Sequence, residues 1–339
     1  MVAAVLLLMV ALTLAMMAIS FPIGTYAVFF THLSNSTASS QGYPFLWIGP
    51  LALVLPFEVS YGGAFLAVTA VYVAMFVLAA TQGRSLAAAA KSGLGKGYRE
   101  FFSNRAFLTV VAIGFLVYTA GMIDALVQAT GASVGNPFTG TDDLKYFLEL
   151  TLAPLREEFG FRVLIIGLAA LAVSPPRPGL PSRQAVATAL KTLWRPSAIL
   201  EGADSSVLAV VVLWAAGALS AGTFGACHVA CGGGGWEVGK LPEAVYGGIV
   251  LAYLYIRYGF HVAVLAHWGI DYFTSAYAFF GQGAFGIPWA STPGYFLQQV
   301  VASDLLGVFG LACVLMVGYA GIMKLVSRRS RPPPDGAGS

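Results

Sequence analysis

The sequence predicts an all-α, polytopic membrane bundle of about eight transmembrane helices with both termini in the cytoplasm. Three observations carry that prediction. The 339 residues are 58% hydrophobic and only 10% charged, against about 25% charged in an average soluble domain. The apolar residues fall in runs near the ~20 residues that one helix needs to cross a bilayer. The basic residues collect in alternate loops, which is how membrane proteins encode orientation. The net charge of +3 is scattered over short loops, so the expected partner is the lipid bilayer and not nucleic acid.

The first run, residues 2–21, has neither a basic leader nor a small-residue cleavage site and reads as a retained span. Pro22 to Tyr43 reads as an external loop in which Asn35-Ser36-Thr37 matches a glycosylation sequon. The apolar piece Phe45 to Phe57 is short and holds two prolines, so it reads as a re-entrant or interfacial segment. Further spans are expected at 61–81, 107–130, 145–173, 205–230, 241–258, 260–280 and 299–326. Gly217, Gly222, Gly225, Gly247 and Gly248 suit close helix packing in lipid. The tail RRSRPPPDGAGS reads as disordered, its basic part serving as an orientation anchor.

Eight spans put four groups of basic residues on one side. These are Arg84, Lys91, Lys96, Arg99 and Arg105; Arg177, Arg183, Lys191 and Arg195; Arg257; and Lys324, Arg328, Arg329 and Arg331. Together they are fourteen of the 18 basic residues. Lys145 and Lys240 fall on the other side, and Arg156 and Arg162 lie within the membrane. Seven or nine spans would scramble this asymmetry. The positive-inside rule makes the basic side cytoplasmic, giving a multi-pass protein of the cell membrane. The chain divides into residues 1–144 (three helices, a loop and the re-entrant segment), a core over 145–280, and 281–339 (the last helix and basic tail). No internal repeat is visible, unlike the paired halves of many transporters.

The chemistry concentrates in the core. Ionisable groups at bilayer depth cost about 2.5–3.5 kcal/mol each on insertion scales, and those that remain are usually functional. Arg156, Glu157, Glu158 and Arg162 form such a cluster. Glu158 and Arg162, at i and i+4, share a helix face and can pair, while Glu157 points about 100° away and is free for chemistry. His228 and His267 are also intramembrane, and Asp271 follows His267 at i+4. Shared partnership across three helices would satisfy all of them. His32 lies outside, His261 opens the seventh span, and Asp124 finds no obvious place. Cys227, Cys231 and Cys313 lie in apolar segments and predict no disulfide. Cys227 and Cys231 bracket His228 but read as small buried apolar residues, not thiolate ligands.

Glu157-Glu158-x-x-x-Arg162, Phe224-x-x-x-His228 and His267-x-x-x-Asp271 occur in that order, and about residues 145–280 resemble the CPBP family of intramembrane proteases. That family includes the type II CAAX prenyl endopeptidases and bacteriocin-processing proteins. The resemblance implies cleavage of a membrane-anchored, prenylated or otherwise lipidated peptide, with cytoplasmic access for prenylated chains. Here Asp271 stands where the prenyl endopeptidases have asparagine, and the Glu158-to-His228 spacing is lengthened by a basic loop from Ser174 to Asp204. Glu157 is then expected to activate a water with help from His228. His267, backed by Asp271, would stabilise the oxyanion, while Glu158, Arg162 and Phe224 support the site. No cofactor is expected. The alternative is a zinc enzyme with Glu157, His228 and His267 as ligands; a non-enzymatic immunity or scaffold protein is the reading from a different class. One geometric condition follows: His228 falls near the end of its span and Glu157 near mid-span. They meet only if span five is tilted or shifted, or if the Tyr258-Gly259-Phe260 turn is sunk into the membrane.

Overall fold

The computed structural model describes residues 2–34, 38–135, 142–174, 181–201, 206–231, 235–288 and 304–329. The Asn35-Ser36-Thr37 sequon, Arg177, Asp204, the start of the 299–326 stretch and the tail from residue 330 lie outside them. In chain order the elements begin with α1 (Val2–Phe29), strands β1 (Gln41–Gly42), β2 (Phe45–Ile48), β3 (Leu51–Val54) and β4 (Val59–Ser60), then α2 (Tyr61–Thr81). Next come α3 (Leu86–Lys96), α4 (Arg105–Ala129), α5 (Asp143–Glu157), a π-helical stretch (Glu158–Gly167) and α6 (Leu168–Ala172). They are followed by α7 (Ser182–Trp194), α8 (Val207–Ala230), α9 (Leu241–Tyr258) and α10 (Phe260–Trp268). A second π-helical stretch (Gly269–Phe273), α11 (Thr274–Phe285) and α12 (Leu305–Arg329) complete the chain.

Apolar runs started by polar caps build this bundle. The side chains of Ser60, Asn104, Asp142 and Ser206 accept first-turn N–H groups of α2, α4, α5 and α8, satisfying donors that lipid cannot. Five helices are long and apolar enough to cross a membrane: Ala3–Phe29, Tyr61–Thr81, Arg105–Ala129, Val207–Ala230 and Leu305–Met323. The α5–α6 rod, α9 and the α10–α11 rod are helical over the stretches expected at 145–173, 241–258 and 260–280, while α3 and α7 are shorter helices in the intervening loops.

Two boundaries differ from expectation. The first helix does not stop at Phe21 but runs through Pro22 to Phe29. Hydrogen bonds from neighbouring helices brace the proline-bearing stretch: Tyr272 Oη donates to the Ser20 carbonyl at 2.8 Å and Tyr277 Oη to that of Met16 at 2.7 Å. The short apolar piece after residue 44 forms a β2–β3 hairpin pairing Phe45 with Val54 and Ile48 with Leu51. Its two-residue turn puts Gly49 at φ +56°, a conformation that glycine adopts without Cβ strain.

The α10–α11 rod lies at the centre. Every residue of α10 is buried, as expected of a helix that is apolar all round. Trp268 stacks on Phe21 at 5.1 Å and on Tyr272 at 5.3 Å, and Phe147 stacks on Phe279 at 4.9 Å.

The rods alternate in direction, so the bundle has two distinct ends. At one end lie the α2–α4 loop, α7, the turn at Gly259 and the end of α12. Asn104 Nδ2 donates to the carbonyls of Ala80 and Arg84 there, both at 2.8 Å, and Arg105 sits over the Tyr258 ring at 4.9 Å. At the opposite end lie the hairpin and the loops around Gly135 and Trp236, which pair with each other. The Gly259 turn (φ +105°) is sunk beneath a cap made of α7 and residues 196–200. Trp194 stacks on the buried His261 at 5.6 Å.

Candidate active site

Three elements deliver the ionisable residues to one interior point. Pro154 in α5 removes a backbone donor just before the glutamate pair, and from Glu158 the helix widens into its π-helical stretch. Such widenings are rare and frequent at functional sites. Asp271 lies in the second π-helical stretch. The end of α8 supplies Phe224 and His228.

His267 is the hub. Its Nδ1 lies 3.0 Å from Glu158 Oε1, and its Nε2 lies 3.3 Å from Asp271 Oδ2 and 3.8 Å from Glu157 Oε2. Glu158 and Arg162 are completely buried. Arg162 Nε stands 3.2 Å from Glu158 Oε2, in ion-pair range but off the line of a hydrogen bond. Arg162 Nη1 donates to Ser220 Oγ at 3.1 Å, Ser220 Oγ donates to the Phe161 carbonyl at 2.7 Å, and the guanidinium lies 4.5 Å over the Phe224 ring. The predicted Glu158–Arg162 pair is therefore present, but Glu158 also grips His267. Sequence spacing could not show that contact, because it joins residues 109 apart.

His228 Nδ1 lies 2.9 Å from the Phe224 carbonyl. A carbonyl only accepts, so this nitrogen carries the proton and Nε2 is the ring's free acceptor when neutral. Phe224 packs edge-on against both His228 (4.6 Å) and His267 (5.8 Å).

A cavity of about 350 Å³ joins these groups, with Glu157, His228, His267 and Asp271 all in its wall. The rest of the lining includes Phe45, Trp47, Tyr146, Arg156 and Trp236. The structure thus brings together the four residues singled out for chemistry, with Glu158, Arg162 and Phe224 behind them. Asp124 lies elsewhere, near the Lys240–Glu243 ion pair, and His261 is walled off under Trp194.

Sequence reasoning missed the hairpin wall. Phe45 and Trp47 alternate on one strand face; Arg156 sits 4.2 Å over the Phe45 ring while pairing with Glu149 at 2.6 Å. A Gly-Pro turn between two apolar tetrads was the available signal. The hairpin rests directly on the π-helical stretch: a Cβ on Gly160 would fall 2.4 Å from both Trp47 Cβ and the Trp47 carbonyl oxygen. Gly160→Ala must therefore displace the hairpin. The expected cost is about 1–3 kcal/mol of stability, read as earlier unfolding in detergent, with Ala at the unobstructed Gly222 as the neutral control.

The expectation of no disulfide is overturned. Cys227 and Cys231 are bridged, with Cα atoms 4.6 Å apart across one helical turn, within the span a disulfide bridges. Spacing of four on a helix made this legible, but buried cysteines are common enough to mask it. Bridged, neither offers a thiolate to a metal. Among the described residues no three His, Cys, Asp or Glu side chains are grouped as they would be around a metal ion.

Residues 144–273 match the family model described as type II CAAX prenyl endopeptidase Rce1-like. That segment carries an Rce1-like domain and contains all seven residues above. No curated protein and no solved structure matches the chain. The domain's family comprises proteases that act on membrane-associated proteins.

Proposed function

We propose that the chain is an intramembrane endopeptidase of the cell membrane that hydrolyses a peptide bond of a membrane-anchored polypeptide with water activated by Glu157. Prenylated chains are the members of that substrate class named by the domain's description. The observation that carries the reading is the shared cavity wall. One carboxylate not held by the ion pair, Glu157, faces two imidazoles and Asp271 across a space large enough for a peptide link and a water.

Glu157 takes a proton from the water as its oxygen attacks the carbonyl carbon. The same proton then passes to the departing nitrogen, leaving a carboxylate and an amine. His228, its Nδ1–H fixed by the Phe224 carbonyl, offers Nε2 to the water. His267 donates from Nε2 to the developing oxyanion. Its contacts to Asp271 and Glu157 are long (3.3 and 3.8 Å), so that donor is only loosely committed beforehand. Asp271 needs no proton of its own in this scheme: it orients His267 where asparagine would donate directly. Glu158 and Arg162 are positioning residues that fix the ring through Nδ1.

The test is cleavage of a library of membrane-anchored peptides, prenylated and not, by purified protein in proteoliposomes containing isotopically heavy water. One heavy oxygen should enter each new carboxylate, and added hydroxylamine should capture no acyl group. Hydroxylamine adducts would indicate an acyl-enzyme and sink the direct-water mechanism. A chelator at concentrations that strip zinc is expected to leave the rate unchanged; loss of activity restored by zinc would transfer the reading to the metal alternative.

A further inference from the structure

The ends of the bundle differ in a way that bears on where substrate enters. Lining residues of the cavity come from the first turns of α5 through Glu157, the last turns of α8, the hairpin and Trp236. All of these lead to the hairpin end. Twelve described basic residues lie at the other end: Arg84, Lys91, Lys96, Arg99 and Arg105 between α2 and the start of α4; Arg183, Lys191 and Arg195 on and after α7; Arg257 at the end of α9; and Lys324, Arg328 and Arg329 on the last turns of α12. Among the described residues the hairpin end holds Lys145 and Lys240, with Arg156 deeper in the cavity wall against Phe45; Lys240 is paired with Glu243 and Arg156 with Glu149, both at 2.6 Å.

We propose that the cavity opens to the oxidising, extracytoplasmic face of the membrane, with the Cys227–Cys231 disulfide in its wall, and takes anchored polypeptides presented on that face. The proposal rests on the hydrolytic reading of the same cavity. Two independent observations carry it. Loop charge sets orientation, and the basic end faces the cytoplasm. The disulfide reports redox compartment: cytoplasmic thiols are kept reduced, and structural disulfides persist outside. Charge and sulfur chemistry share no residue, and both put the cavity outside.

The substrate class narrows accordingly. A prenyl tail added to a cytoplasmic C terminus inserts in the inner leaflet, behind the basic end and the α7 cap. Segments that reach this cavity are anchored with their scissile bond near the outer leaflet. Phe45, Trp47 and Trp236 line the way in, aromatic residues of the kind that settle at a membrane–water interface.

Single cysteines at exposed apolar positions test this in sealed cells of a bacterial expression host: Val238→Cys at the hairpin end (68% exposed), and Leu94→Cys and Val186→Cys at the basic end (52% and 58%). An impermeant maleimide should label Val238→Cys from outside. The other two should label only after permeabilisation, with peptide mapping to identify each site. In the wild-type chain Cys227 and Cys231 should label only after reduction. Outside labelling of Leu94→Cys and Val186→Cys with Val238→Cys protected overturns the proposal, as does free Cys227 and Cys231 in unreduced cells. Labelling needs no catalysis, so a reversed orientation leaves hydrolysis standing, and an inactive cavity leaves the labelling pattern unchanged.

Discussion

Glu157→Gln is expected to remove peptide hydrolysis almost completely while leaving the bundle intact. The amide has the size of the carboxylate but cannot take a proton from water, so the loss should be about 10²–10⁴-fold, the range that a positioned general base contributes. Stability should hardly change. Glu157 is partly open to the cavity, and its contact with His267 is a loose 3.8 Å. Stability and rate should therefore separate cleanly: the same unfolding midpoint in detergent, no product. Cleavage at the wild-type rate by this variant would remove Glu157 as the base, whereas no cleavage by either the variant or the wild type would favour the scaffold reading, in which the motif persists for packing. Glu158→Gln offers the contrast. Glu158 is absent from the cavity wall, acts through His267 Nδ1 and is fully buried, so the change should lower stability together with rate.

The sequence made the rods and the motif residues legible for a simple reason. Apolar runs of membrane length and basic loops between them are properties of composition, and each motif spaces its residues by one helical turn. The contacts that turn these motifs into a site are of another kind. Glu158, at the start of one π-helical stretch, reaches His267, which lies just before the other, and α-helical periodicity cannot announce a π-helix. The hairpin escaped because a strand and a short lipid-facing segment are equally apolar, so hydropathy does not tell Phe45–Val54 from an interfacial piece. Pro22 looked like a helix end, yet two tyrosine hydroxyls from a rod some 250 residues away brace the backbone around it. In each case the deciding partner is remote in sequence.

Arg162→Met carries the largest expected cost in stability. The guanidinium is completely buried, and its described polar partners are Glu158 and Ser220. Removing it leaves the Glu158 carboxylate to His267 alone, in surroundings that exclude water. Breaking one side of a buried pair costs about 3–5 kcal/mol, which should appear as a sharply lowered unfolding midpoint and reduced membrane yield. Arg162→Lys should recover only part, since an ammonium cannot reach Glu158 and Ser220 with the same fork or lie flat over Phe224. The informative variant is the double change Glu158→Gln with Arg162→Met. It removes both buried charges, so stability should return toward wild type, because the penalty in the single variant is an uncompensated carboxylate. Activity should not return with it: the neutral amide holds His267 Nδ1 less firmly than the carboxylate at 3.0 Å does, and the ring that faces Glu157 and Asp271 loses its anchor. Recovery of both stability and rate would mean that the pair serves insertion and packing alone. A single Arg162→Met variant as stable as wild type would mean that Glu158 is held by His267 without help.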